Sequence, residues 1–135
     1  VRLLLDTNAL IWTLVSRERL SPIVSDAIED ETNDVFVSVV SAWEIEIKSA
    51  KGKLRAPSDL QGALAAQGFR SLAVTMPHAY AVESLPRHHR DPFDRMIIAQ
   101  AHLEGMTIVT SDRDIRLYPV AVLEASPRGP ASGTG

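Results

Sequence analysis

Leu3-Leu4-Leu5-Asp6-Thr7-Asn8-Ala9-Leu10 is a short apolar run that stops abruptly at three turn-forming residues. An uninterrupted apolar run of this length reads as a strand buried on both faces, and its polar end as a turn into a helix. The same alternation continues along the chain. Ser21-Pro22 sets a capping Ser before a Pro at the first helical position and predicts a helix to about Glu31. After the Asn33-Asp34 turn, the β-branched stretch Val35-Phe36-Val37-Ser38-Val39 predicts a second strand. Helices are expected from Ser41 to Lys51, stopped by Gly52, and from about Asp59 to Gln67, opened by Pro57-Ser58 and followed by Gly68. Leu72-Ala73-Val74 reads as a short strand, and Pro77 starts a helix to about Ser84. Asp91-Pro92 opens a long helix to Glu104, with Gly105 as its stop. Thr107-Ile108-Val109-Thr110, a helical turn ending at Leu117, and Val120-Ala121-Val122 complete the pattern. Strands alternating with helices predict an α/β fold around a mostly parallel sheet, with right-handed crossovers placing helices on both faces. Ligands bind such sheets beyond the carboxyl ends of the strands.

A chain of 135 residues fits one domain with a core of its own, here expected over residues 1–125. From Ser126 onward the composition shifts to Ser, Pro, Gly and Ala, and residues 126–135 are expected to form a disordered tail. The absence of cysteine excludes a disulfide framework, a thiolate zinc site and a cysteine nucleophile, and accords with a reducing cytosol. No apolar run approaches the ~20 residues of a spanning helix, and the apolar start is too short for a signal peptide. The formal net charge is −3, so any affinity for nucleic acid must come from local basic residues or bound cations.

Four acids stand at strand-to-helix transitions or in the first turn of a helix: Asp6, Glu44, Asp94 and Asp112. Each has an ordinary explanation. Asp6 begins a capping turn, Ser41-Ala42-Trp43-Glu44 matches a capping box, Asp91-Pro92-Phe93-Asp94 repeats it with Asp91 as cap, and Ser111 or Asp112 caps the turn that follows. Acids near helix N-termini are also favoured by the helix dipole. Caps alone tolerate Ser, Thr or Asn as well, however, and four carboxylates on one sheet edge repel one another. At about 5 Å and an effective dielectric of about 20, one such pair costs about 3 kcal/mol. A cation, a raised pKa or an interleaved Arg or Lys must offset it. The all-oxygen set, without cysteine or a convincing His partner, points to Mg²⁺ or Mn²⁺ rather than zinc.

At these residues the chain resembles the PIN-domain family. Leu3 to Leu10 looks like its opening strand and first acid, and Val37-Ser38-Val39-Val40-Ser41-Ala42-Trp43-Glu44-Ile45 like its second-acid segment. Asp91-Pro92-Phe93-Asp94-Arg95-Met96-Ile97-Ile98-Ala99-Gln100-Ala101, the most specific match, is similar to the third-acid helix, and Val109-Thr110-Ser111-Asp112-Arg113-Asp114 to the fourth-acid turn. The resemblance spans Leu3 to about Val122 and is nearest to the VapC-type toxins of bacteria. It implies a three-layer α/β/α fold and a cytoplasmic endoribonuclease dependent on Mg²⁺ or Mn²⁺, with RNA as substrate, a VapB-like antitoxin as partner and a homodimeric state. It also implies that Asp6, Glu44, Asp94 and Asp112 are the catalytic, metal-holding acids, with Asp91 left as helix cap. Thr7, Asn8, Thr110 and Asp114 are expected to orient these acids or a bound water. Relatives with the Trp-Glu and Asp-Pro-Phe-Asp segments often carry His where this chain has Asn8, but Asn is common there in other PIN domains, so activity is expected to survive.

Arg87, Arg90, Arg95 and Arg113 are candidate RNA contacts, Arg95 being equally a partner for an acid of the cluster. The Arg87-His88-His89-Arg90 loop reads equally as solvated or as an antitoxin contact, and its His pair lacks the spacing of a zinc site. Glu44 and Lys48 stand at i,i+4, as in a helix-surface ion pair. Trp43, with Ile47 and Ala50 at helical spacing, is expected in the core; Trp12 faces core, dimer or antitoxin. Three rivals were weighed. A haloacid-dehalogenase-type phosphatase needs an Asp where Asn8 stands. A receiver-like module needs a Lys near the C-terminus, and no Lys follows Lys53. A PIN fold without activity, acting only as an RNA- or protein-binding scaffold, is the alternative.

Overall fold

The computed structural model describes residues 1–127, so the expected tail, apart from Ser126 and Pro127, lies outside the described residues. Five strands form one parallel sheet: β1 (Arg2–Leu5), β2 (Asp34–Ser38), β3 (Arg70–Leu72), β4 (Thr107–Thr110) and β5 (Ala121–Glu124), in the order β3-β2-β1-β4-β5. The helices are α1 (Thr7–Val15), α2 (Pro22–Glu29), α3 (Val39–Ala50), α4 (Leu60–Gln67), α5 (Met76–Ser84) and α6 (Pro92–Glu104). Two 3-10 turns, Arg17–Arg19 and Arg113–Leu117, complete the path. No helix among the described residues is long and apolar enough to cross a membrane.

The opening leucines set the layering. Side chains alternate across a strand, so Leu3 and Leu5 face one side and Leu4 the other. Leu3 and Leu5 join Leu10 of α1, Val24 and Ile28 of α2, Ile45 of α3 and Leu60 of α4 in one core. Leu4 joins Ile108 of β4, Ile97, Ile98 and Ala101 of α6, and Leu85 in the other. All three leucines are essentially fully buried, at roughly 1.5–3 kcal/mol each. β1 is thus the central strand, with β2 on one side and β4 on the other.

Most predicted boundaries fall within two residues of the observed ones. Ser21 caps α2, Asp91 caps α6, and Gly105 takes a left-handed conformation at the end of α6 (φ 66°), with the Arg2 guanidinium donating to the Glu104 carbonyl beside it. Three expectations fail. The strand expected at Leu72–Val74 is Arg70–Leu72, because its register follows Phe36, Val37 and Ser38 of β2. The helix expected to start at Ser41 starts two residues earlier. Ser38 caps it, accepting from the Val40 N–H at 3.1 Å, so Ser41-Ala42-Trp43-Glu44 is no capping box. The resulting register buries Val40, Ser41, Glu44 and Ile45, and turns Trp43 outward. Trp43 is 62% exposed, its ring edge-on to Phe93 at 5.4 Å, rather than in the core.

Arg95 also departs from expectation. It is 6% exposed and meets neither solvent nor an acid of the cluster. Its guanidinium donates to the carbonyls of Val82 at 2.7 Å, Pro86 at 2.9 Å and Leu85 at 3.4 Å, and to the Tyr118 hydroxyl at 3.4 Å. Its two terminal nitrogens bind the carbonyls where α5 ends and the chain turns away, so the guanidinium is committed to the fold rather than offered to RNA. Arg95→Met is therefore expected to lower stability by about 2–4 kcal/mol, since it strands several buried carbonyls. A urea unfolding midpoint equal to wild type would show that the clamp is dispensable.

Candidate active site

The sheet order places a topological switch between β1 and β4, where the chain leaves β1 for one side and returns to the other. Crevices at such switch points, outside the carboxyl ends of the strands, are where parallel α/β sheets bind ligands. The residues that follow these strand ends are Asp6 after β1 and Ser111-Asp112 after β4. Here Asp6, Glu44, Asp91, Asp94 and Asp112 converge on a pocket of about 100 Å³, together with Thr7, Asn8 and Lys48. All four predicted acids are brought together. Depressions of about 380 and 450 Å³ lie elsewhere, but without comparable chemistry: in the first, Arg17 and Arg70 are paired with Glu29 and Asp34.

Each acid is held by its local fold. Asp6 is the N-cap of α1 and accepts from the Ala9 N–H at 2.8 Å, so its capping role and its place in the pocket coincide. The Thr110 hydroxyl also bonds its carboxylate and in turn accepts from the Asp112 N–H at 2.9 Å. Thr110 is thereby the link between the two strand ends. Glu44, on the buried face of α3, accepts from the Thr7 hydroxyl at 2.7 Å and from Lys48 at 2.5 Å, the i,i+4 pair expected from the spacing. Asp94 sits in the first turn of α6, whose N-terminus is capped by Asp91 Oδ1 through the N–H groups of Phe93 at 2.8 Å and Asp94 at 3.4 Å. Asp112 caps the 3-10 turn by accepting from the Asp114 N–H at 2.9 Å. Asp114 thus supports the site through its main chain, while its side chain is exposed. Asn8 is exposed at the pocket's edge.

Electrostatics show the cost of this arrangement. Burial, then the charges of Asp112 and Glu44, push the Asp6 carboxyl up to about 6 against the hydrogen bonds from Thr110 and Ala9. Burial, then Asp91 and Asp6, push Asp94 up to about 7. The hydrogen bonds to Asp6 and the His89 ring beside Asp94 oppose these shifts without cancelling them. Lys48 is raised, chiefly by its bond to Glu44. The donor set fits a hard divalent cation, being rich in carboxylate oxygen and free of thiolate.

Sequence reasoning overlooked His89. Its Nε2 lies 2.7 Å from Asp112 Oδ2 and 3.3 Å from Asp94 Oδ2, inside the acidic cluster. Burial lowers its proton affinity, but Asp112, Asp94 and Asp91 together outweigh that and raise it. A zinc spacing rule has no bearing on a His that reaches a site from a loop two residues before a helix cap. Its neighbour His88 packs edge-on against the Tyr118 ring at 5.2 Å instead. Of the predicted RNA contacts other than Arg95, Arg87, Arg90 and Arg113 are all exposed, with Arg87 4.0 Å from Glu83.

Comparison with known proteins agrees with this geometry. The PIN-domain family model matches residues 3–121, which include all four acids. Ribonuclease VapC22 of Mycobacterium tuberculosis is 32% identical over 120 residues, covering 85% of this chain and 90% of that protein. Among solved structures, VapBC2 from Rickettsia felis bound to a DNA fragment from its promoter superimposes with a TM-score of 0.70 at 14% identity, over 93% of this chain and 100% of that one. FitAcB from Neisseria gonorrhoeae gives a TM-score of 0.65 at 23% identity, over 90% of this chain and 96% of that one. A parallel sheet with β1 at its centre, acids gathered where β1 and β4 end, and a family match across almost the whole described chain lead to one assignment: the chain belongs to the PIN-domain family.

Proposed function

We propose that the protein is a metal-dependent endoribonuclease acting in the cytoplasm as the toxin of a VapBC-type pair, with a VapB-like antitoxin and a second copy of itself as partners. The observation that carries the chemistry is the convergence of Asp6, Glu44, Asp94 and Asp112 on one pocket at the sheet's switch point. Similarity to a VapC ribonuclease and to VapBC assemblies supports the substrate and the toxin role.

In this reading Asp6, Glu44, Asp94 and Asp112 hold Mg²⁺ or Mn²⁺. When bound, such a cation would lower the pKa of its water and offset charge on the phosphate. The chain's own residues prepare the place. Thr110 and the Ala9 N–H orient Asp6, while Thr7 and Lys48 orient Glu44. Asn8, exposed at the edge, is placed to orient a bound water. Arg87, Arg90 and Arg113 supply contacts to the RNA backbone, which a chain of net charge −3 needs locally.

Asp6→Asn and Asp94→Asn are expected to lower RNA cleavage at least about a hundred-fold in Mg²⁺ or Mn²⁺, with EDTA abolishing the wild-type reaction. Wild-type rates in either purified variant would overturn the assignment. The metal-free Asp94→Asn protein should melt no lower than wild type at pH 8, because it sheds a repelled charge. Asp6 and Asp94 both hold protons more tightly folded than unfolded, their ordinary value being 3.8. Their contribution is thus most favourable below about pH 4 and is lost as pH rises through about 6 and 7. Metal-free wild type should accordingly lose more stability than Asp94→Asn between pH 5 and pH 8, as read from melting temperatures. Mn²⁺ binding to wild type should tighten over the same interval and release protons, which calorimetry in two buffers detects. A pH-independent affinity would contradict the crowded-carboxylate account. Finally, reversing Arg87 and Arg90 together to Glu should weaken RNA binding and flatten its salt dependence by about two units of log–log slope at most. An unchanged slope would remove both residues from the interface.

A further inference from the structure

We propose that His89 is a positioning residue: it donates its Nε2 proton to Asp112, with Asp94 beside it, and stays outside the coordination sphere of the cation they hold. The inference rests on the metal-dependent reading above. Distance alone favours the opposite view, since ligand atoms of His89, Asp94 and Asp112 all lie within 4.8 Å of one another, close enough to surround one ion.

The other ring nitrogen decides between them. His89 Nδ1 accepts a hydrogen bond from the Asp91 backbone N–H at 3.1 Å. A nitrogen that accepts carries no proton, so the neutral ring has its single proton at Nε2, the nitrogen that faces Asp112 at 2.7 Å. A cation on Nε2 would then require a ring with no proton at all, an imidazolate anion among five carboxylates. A ring turned to offer Nδ1 would have to give up the Asp91 bond. The Asp91 bond to Nδ1 and the Asp112 bond at Nε2 are satisfied together by a neutral ring; the nearby carboxylates favour a second proton, but taking it would set an Nδ1–H against the Asp91 N–H.

The loop is moored to keep that ring in place. The His89 N–H donates to the Tyr118 hydroxyl at 2.9 Å, which also receives Arg95 at 3.4 Å, and Arg95 holds the Pro86 carbonyl at 2.9 Å. Asp91, at the other end, is fixed as the cap of α6. The chain uses the same device a second time, away from the pocket. Fully buried His78 accepts at Nδ1 from the Thr75 N–H at 3.0 Å and lies with Nε2 2.8 Å from Glu104 Oε2, tying α5 to α6. There the imidazole fixes a carboxylate, as His89 does for two that belong to different elements.

Mn²⁺ titration followed by electron paramagnetic resonance, with electron spin-echo measurement of nitrogen coupling, tests this on wild type, His89→Ala and His89→Gln. Expected are a bound wild-type Mn²⁺ without directly ligated imidazole nitrogen and an affinity about ten-fold weaker or more in His89→Ala. His89→Gln, whose amide N–H reaches the position of Nε2, should recover to within about three-fold of wild type. Tyr118→Phe should weaken Mn²⁺ less than His89→Ala does. Coupling from a ligated imidazole, wild-type affinity in His89→Ala, or His89→Gln as weak as His89→Ala would each overturn the proposal while leaving the metal site standing. Failure of the wild-type protein to bind Mn²⁺ would overturn both.

Discussion

Asp6, buried, and Asp94, half-buried, lie in one crevice beside three further carboxylates. Burial and, behind it, the neighbouring like charges push their carboxyls up to about 6 and about 7, so the fold works against their ionisation. The surrounding structure can be read as the means of holding that strain. β1 and β4 deliver two acids side by side, α3 and α6 bring two more, and threonine hydroxyls, main-chain N–H groups, Lys48 and His89 restrain them. Such a site is poorly satisfied by protein groups alone, which is why its chemistry suits the small divalent cation proposed for it.

The capping explanation and the catalytic one prove compatible for Asp6 and Asp112. Asp6 caps α1 with one oxygen and Asp112 caps a 3-10 turn with one, and both still line the pocket. A carboxylate has about four lone-pair positions, and a cap uses one or two of them. Capping also fixes the rotamer, so the helix start becomes the device that aims the acid. Glu44 and Asp94 reach the pocket without capping: Glu44 through the buried face of α3, Asp94 through the first turn of a helix capped by its neighbour Asp91.

Local patterns made most of the fold legible. The buried leucine run, Ser21-Pro22, Asp91-Pro92 and Gly105 each act within a few residues of themselves, and each marks a boundary correctly. What was illegible depends on distant contacts. The register of β3 is set by β2, and that of α3 by Ser38 rather than Ser41, so Trp43 turns outward although its spacing suits a core. Arg95, next to Asp94 in the chain, looks like a phosphate ligand until the end of α5 folds over it. His89 carries no motif; only the path of the loop from Pro86 to Asp91 places its ring between Asp94 and Asp112.

The strand order has a consequence for how the protein comes into being. β1 precedes all its partners in the chain, yet it becomes interior only when β4 has been made, and Asp6 and Asp112 stand at nearly opposite ends of the described residues. Parallel pairings of such wide sequence separation form late, because loop closure must be met before the contact rewards it. A chain emerging from the ribosome therefore has no complete acidic pocket until β4 and Asp112 have been synthesised. If the acids act as proposed, the nascent chain is inert by topology alone until the crossover from β3 to β4 is complete, by which time a partner that has already folded can be waiting for it.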